Sequence, residues 1–189
     1  MADYEITREM LCVLSGFGGQ GLLFAGKILA NCGLIDGREV SWMPSYGPEM
    51  RGGTANCSVS LSDDAIGSPF ITRPTALIAM NQPSVEKFAS SVVAGGTVIV
   101  DTTLAMNACE GVQLAEGVDV HAFKATELAE AEGLKGLANI ICLGSLWANT
   151  HFCEREVAEE AIRKCVPPKR QHLVEPNLRA FDLGATYEA

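Results

Sequence analysis

The sequence has no basic block, no long apolar run and no closely spaced cysteines. Each absence removes a class of function. Its 14 Lys+Arg face 23 Asp+Glu, for a net charge of -9. Neutralising nucleic-acid phosphates needs clustered Lys and Arg, so a nucleic-acid binder is excluded, and a basic membrane-surface module with it. No stretch approaches the roughly 18 apolar residues of a transmembrane helix. The start, Met1-Ala2-Asp3-Tyr4-Glu5, lacks the basic n-region of a signal peptide, which predicts a cytoplasmic chain away from membranes. Of the seven cysteines, the nearest two are Cys142 and Cys153. Iron–sulfur clusters and structural zinc draw on tighter pairs. The cysteines therefore read as small buried apolar residues in a reducing compartment. His121, His151 and His172 are scattered, and no metal site is expected.

What is present is a chain of 189 residues with 48% hydrophobic and 20% charged residues. That is ordinary globular composition and a length suited to one domain. Glycine is in surplus at 19, about one residue in ten against a usual share of roughly 7%.

Apolar runs predict strands at 10–15, 38–43, 75–80, 97–101 and 118–123. Residues 54–62 alternate strictly, with Ala55, Cys57, Val59 and Leu61 on one face, and predict a half-covered strand at a sheet edge. Helices are predicted at 22–34, 84–93, 127–132, 137–149, 154–164 and 174–182, the last ending at Gly184. Strands alternating with helices imply an α/β domain. The prediction is a Rossmann-like, mostly parallel sheet with flanking helices and a helical C-terminal third.

Two glycine segments follow the first two strands. Gly16, Gly18 and Gly21 fit G-x-G-x-x-G, with Gly19 and Gln20 between them. A strand before it and a helix after it put backbone N–H groups and a positive dipole end where an anion could sit. A dinucleotide site also needs an acid at the end of the second strand. That strand ends Val40-Ser41-Trp42-Met43-Pro44, and Glu39 lies at its start. Three readings stay open: a dinucleotide site, glycines for tight helix packing, and a loop for another anion or a partner's cofactor. The second segment holds Tyr46, Gly47, Pro48, Glu49, Arg51, Gly52 and Gly53. Arg51 can fork onto a carboxylate or phosphate, and Gly52-Gly53 lets backbone approach it. Alone, the segment reads equally as a solvated turn with a surface ion pair. Both segments belong to the carboxyl edge of the sheet, where open α/β sheets bind ligands. Seven of the 19 glycines fall in them.

G-F-G-G-Q-G at 16–21 followed by S-Y-G-P-E-M-R-G-G at 45–53 resembles the gamma subunit of 2-oxoacid:ferredoxin oxidoreductases, of the 2-oxoglutarate and ketoisovalerate types. The resemblance spans 1–189 as a single gamma-type domain and includes Ala138-Asn139, Leu143-Gly144, Asn177 and Ala180-Phe181. It implies an assembly that decarboxylates a 2-oxoacid on thiamine diphosphate with magnesium, passes electrons through iron–sulfur clusters to ferredoxin, and forms acyl-coenzyme A. This chain has neither a Gly-Asp-Gly thiamine signature nor a cysteine cluster. Alpha and beta catalytic subunits and a ferredoxin-like subunit are therefore the implied partners that hold those groups. No catalytic residue is expected here, and the two glycine segments are expected to face coenzyme A or the catalytic pair. A homodimer of the isolated chain stays open. So do two other classes: a stand-alone nucleotide-binding oxidoreductase and a regulatory interaction protein.

Overall fold

Six strands form one sheet in the order β2-β3-β1-β4-β5-β6. They are β1 Met10–Phe17, β2 Glu39–Ser45, β3 Thr54–Ser62, β4 Ala76–Ala79, β5 Thr97–Asp101 and β6 Asp119–Phe123. The helices are α1 Leu22–Ile35, α2 Gln82–Phe88, α3 Ala125–Ala131, α4 Ala138–Thr150, α5 Arg155–Cys165 and α6 Val174–Ala185. The structure is a computed structural model and describes residues 6–45 and 54–187. No helix among the described residues is long and apolar enough to cross a membrane.

The sheet is mostly parallel, as expected. β1, β4, β5 and β6 run the same way. β2 shares their direction because both β2 and β1 are antiparallel to β3. The alternating segment 54–62 corrects one expectation: β3 is an interior strand, and β2 is the edge. Its alternation has another cause. Cys57, Val59 and Leu61 are buried beneath α1. The opposite face, with Asn56 and Ser58 beside Met43 and Ser45 of β2, borders an open groove of about 380 Å³ walled by Val13, Phe70 and Phe88. A strand with one covered face alternates wherever it lies in a sheet.

α1 lies close on this half because Gly26 and Gly33 leave no side chain between helix and strand. A Cβ at Gly26 would come within 2.6 Å of Cys57 Sγ, and one at Gly33 within 2.5 Å of Leu61 Cδ2. α4 is apolar on nearly all sides, and its buried run from Ala138 to Trp147 marks it as a central helix. It packs on β5, α3 and α6. α5 turns Ala158, Ala161, Ile162 and Cys165 inward and packs on α1. It stops where Val166, placed before Pro167, takes an extended conformation that the proline ring imposes. α6 runs past its predicted end. Gly184 is a helical residue facing α4 and not a C-terminal cap.

Six of the seven thiols are buried, and Cys109 is partly exposed. Burial pushes the Cys57 thiol up to about 12 and raises those of Cys12 and Cys142 well above the usual range. The thiolate is the reactive form. Native protein is therefore expected to react with an aromatic disulfide reagent at Cys109 first, with the other six lagging by orders of magnitude. Peptide mass mapping after short exposure checks this, and early labelling of Cys12 or Cys142 would contradict it.

Candidate functional site

The site begins where β1 ends. Phe17 and Gly16 pair with Thr54 and Ala55 of β3, and Ser45 of β2 pairs with Asn56. The first glycine loop and both ends of the second segment therefore share the carboxyl edge on neighbouring strands. Tyr46, Gly47, Pro48, Glu49, Arg51, Gly52 and Gly53 themselves lie outside the described residues.

Three glycines of the first loop have their own reasons. Gly19 (φ +93°) and Gly21 (φ +75°) take left-handed conformations that side chains disfavour. A Cβ on Gly16 would meet Gln20 Oε1 at 2.4 Å, and one on Gly21 would meet Asn139 Nδ2 at 2.6 Å. Gln20 turns back into the loop. Its Oε1 accepts from the Phe17 N–H at 2.5 Å, and its Nε2 donates to the Met80 carbonyl at 3.1 Å. It thus braces β1 against the end of β4.

Gly21 is the N-cap of α1, and the first turn of α1 carries no acid. Leu22 and Leu23 come before any intrahelical acceptor, so their N–H groups and the dipole end are available to an anion. Gly19 forms a ridge between two hollows. One, of about 330 Å³, is lined by Phe17, Gly18, Leu22, Phe24, Ser45 and Ala55. The other, of about 280 Å³, is lined by Gln20, Met80, Leu104, Thr126, Glu130 and Lys135. Among the described residues they offer an apolar wall, a helix N-terminus and the opposite charges of Lys135 and Glu130.

The dinucleotide reading fails on topology. β3 stands between β1 and β2, so the strand that follows α1 ends one position away from the glycine loop. That strand closes on Met43-Pro44-Ser45, without an acid. Glu39 lies at the opposite edge, paired with Ser62.

Other polar residues at this edge are structural. Asp101 is fully buried and accepts from the Thr103 N–H at 3.1 Å and the Thr126 hydroxyl at 2.5 Å. It ties β5 to the start of α3. Asn81 caps α2 by accepting from the Ser84 N–H at 2.9 Å. The Gln82 amide holds the loop at Asn107 and Ala108. Asn139 was not read from sequence as part of the site. Its signal was being the one strongly polar residue in Ala138-Asn-Ile-Ile-Cys-Leu143.

The sequence profile of the pyruvate ferredoxin/flavodoxin oxidoreductase family matches residues 12–187. The chain belongs to this family.

Two relatives locate it further within the pyruvate ferredoxin/flavodoxin oxidoreductase family. It is 38% identical over 180 residues to the ketoisovalerate oxidoreductase subunit VorA of Methanothermobacter thermautotrophicus, covering 95% of this chain and 36% of the relative. It is 37% identical over 175 residues to the 2-oxoglutarate synthase subunit KorC of Methanocaldococcus jannaschii, covering 90% of this chain and 89% of the relative. The chain thus spans about a third of the length of VorA and most of KorC. Its fold is that of the gamma subunit of a keto/oxoacid ferredoxin oxidoreductase from Geobacter sulfurreducens, with 32% identity and a TM-score of 0.76 over 93% of this chain and 95% of that one. The fold recurs in a 2-oxoglutarate:ferredoxin oxidoreductase from Magnetococcus marinus solved with 2-oxoglutarate, coenzyme A and succinyl-CoA, at 21% identity and a TM-score of 0.78 over 95% of this chain and 31% of that one. Membership does not favour a stand-alone nucleotide-binding enzyme or a regulatory protein.

Proposed function

We propose that this chain is the gamma-type subunit of a 2-oxoacid:ferredoxin oxidoreductase, acting on a 2-oxoacid of the 2-oxoglutarate or branched-chain class. The overall reaction would release carbon dioxide, pass two electrons to ferredoxin and join the acyl group to coenzyme A. Thiamine diphosphate with magnesium supplies the decarboxylation chemistry, and iron–sulfur clusters carry the electrons. Partner alpha, beta and ferredoxin-like subunits would hold these groups. Two features of the sequence support that placement: it has no Gly-Asp-Gly, and six of its seven cysteines are buried.

The role proposed for this chain is to bind the anionic part of coenzyme A at the carboxyl edge. One observation carries it. An uncompensated helix N-terminus opens between two hollows, beside the strand ends from which the Arg51 segment springs. The Leu22 and Leu23 N–H groups and the Arg51 guanidinium would hold phosphate oxygens. Phe17 and Leu104 would shield the apolar parts of the ligand.

The test is Arg51→Ala in the reconstituted complex. A lost charge-assisted contact of about 1.5–3 kcal/mol corresponds to roughly a 10- to 100-fold rise in KM for coenzyme A. The kcat at saturating coenzyme A should change little. If neither KM nor kcat moves, Arg51 has no such role.

A further inference from the structure

Asn139 is the second residue of α4 and is 3% exposed. Its Nδ2 donates to the carbonyl of Gly21 at 2.9 Å, across 118 positions of sequence. The same carbonyl accepts from the N–H groups of Phe24 at 3.0 Å and Ala25 at 3.1 Å. Asn139 Oδ1 is buried and finds no hydrogen-bond partner among the described residues. Turning the amide over would set that oxygen against the Gly21 oxygen, acceptor to acceptor. The orientation is therefore forced, and the orphaned oxygen is the cost of making the bond. A leucine of similar size would fill the space without an orphan. What the amide adds is its hold on Gly21.

That hold has a direction. In a trans peptide the carbonyl and the following N–H point opposite ways in one plane. The Gly21 carbonyl and the Leu22 N–H belong to one such plane. Pinning the carbonyl, together with the Phe24 and Ala25 N–H groups, fixes the direction of the Leu22 N–H as well, and Leu22 lines the 330 Å³ hollow.

We propose that Asn139 is a positioning residue, which fixes the Gly21–Leu22 peptide so that its N–H faces the anion-binding mouth. The inference rests on reading that mouth as the coenzyme A site. The experiment uses the reconstituted complex with Asn139→Leu, and with Asn139→Ala in case leucine disturbs the packing. Two readouts are taken: deuterium uptake in the peptide covering 16–24, and the kinetics with coenzyme A. Faster uptake in that peptide, a KM for coenzyme A raised about tenfold and a kcat within twofold support the proposal. A purely structural role would lower yield or melting temperature without splitting KM from kcat. Unchanged uptake overturns the proposal outright. So does an unchanged KM when Arg51→Ala does raise it, and the coenzyme A reading then survives. If KM is unchanged in both variants, the coenzyme A reading itself falls, and this role with it.

Discussion

Gly184→Ala is expected to lower the melting temperature by about 6–12 °C. α4 and α6 meet backbone to backbone. A Cβ at Gly184 would lie 1.9 Å from the Ile141 carbonyl oxygen, and one at Gly144 would lie 2.0 Å from the Phe181 carbonyl oxygen. Inserting a methyl group into a packed core usually costs about 1–3 kcal/mol, because nearby side chains can give way. Here the obstacle is a helical carbonyl, which cannot rotate aside without losing its own hydrogen bond. The cost therefore falls at about 3 kcal/mol or above, and one kcal/mol moves a chain of this size by roughly 2–4 °C. Gly144→Ala should behave alike. The double variant should lose less than the sum, since either methyl alone forces the helices apart. Calorimetry of the three variants checks this, and a shift under 2 °C would show that the helices separate freely.

The second large effect is expected at Arg38. Its side chain has no exposure, and its guanidinium is fully occupied. Nε donates to Asp36 Oδ2 at 2.9 Å, Nη1 to the Thr7 carbonyl at 3.0 Å, and Nη2 to the Phe152 carbonyl at 2.5 Å. One side chain thus ties together the lead-in to β1, the end of α1 and the α4–α5 connection. Arg38→Met leaves Asp36 without this partner and the carbonyls unpaired, a loss of about 3–5 kcal/mol. That is a large fraction of the stability of an ordinary domain. Arg38→Lys should recover less than half, because an ammonium cannot reproduce the planar fork. Urea unfolding midpoints decide the matter, and a loss below about 1 kcal/mol would show that water replaces the clamp.

Arg38 also shows where the sequence stops being readable. Its place just before β2 followed from the apolar run behind it. Its burial did not, because one of its partners lies 114 positions away. Asn139 was hidden for the same reason. The first glycine loop was legible because its need is local: a strand, a tight turn and a helix start all leave their mark within a few residues. Gln20 was half legible: its place in the loop was plain, but its bond to the Met80 carbonyl, 60 positions away, was not. The two misread features share a cause. Strict alternation reports that one face of a strand is covered, not where the strand stands, so it cannot tell an interior β3 from an edge. Glycine serves both to end a helix and to let two helices touch, so the sequence around Gly184 does not distinguish a stop from a contact. The second segment, Tyr46 to Gly53, remains a sequence argument carried by its two strand ends.

Among the described residues, the hairpin of β2 and β3 is gripped by a helix on one side. α1 lies on its inner face, while its outer face meets the open groove. β4 and β5 are buried throughout, with apolar clusters on both sides. The free energy of local opening therefore falls from β4 and β5 outward to β2, since each outer residue has fewer apolar neighbours to lose. The segment that carries Arg51 joins the two strands at the weaker end of this gradient. Any contact that covered the groove would add apolar neighbours to the outer face of the hairpin. If a partner subunit makes that contact, the tightening of the hairpin belongs to assembly, and the isolated chain holds only part of its stability.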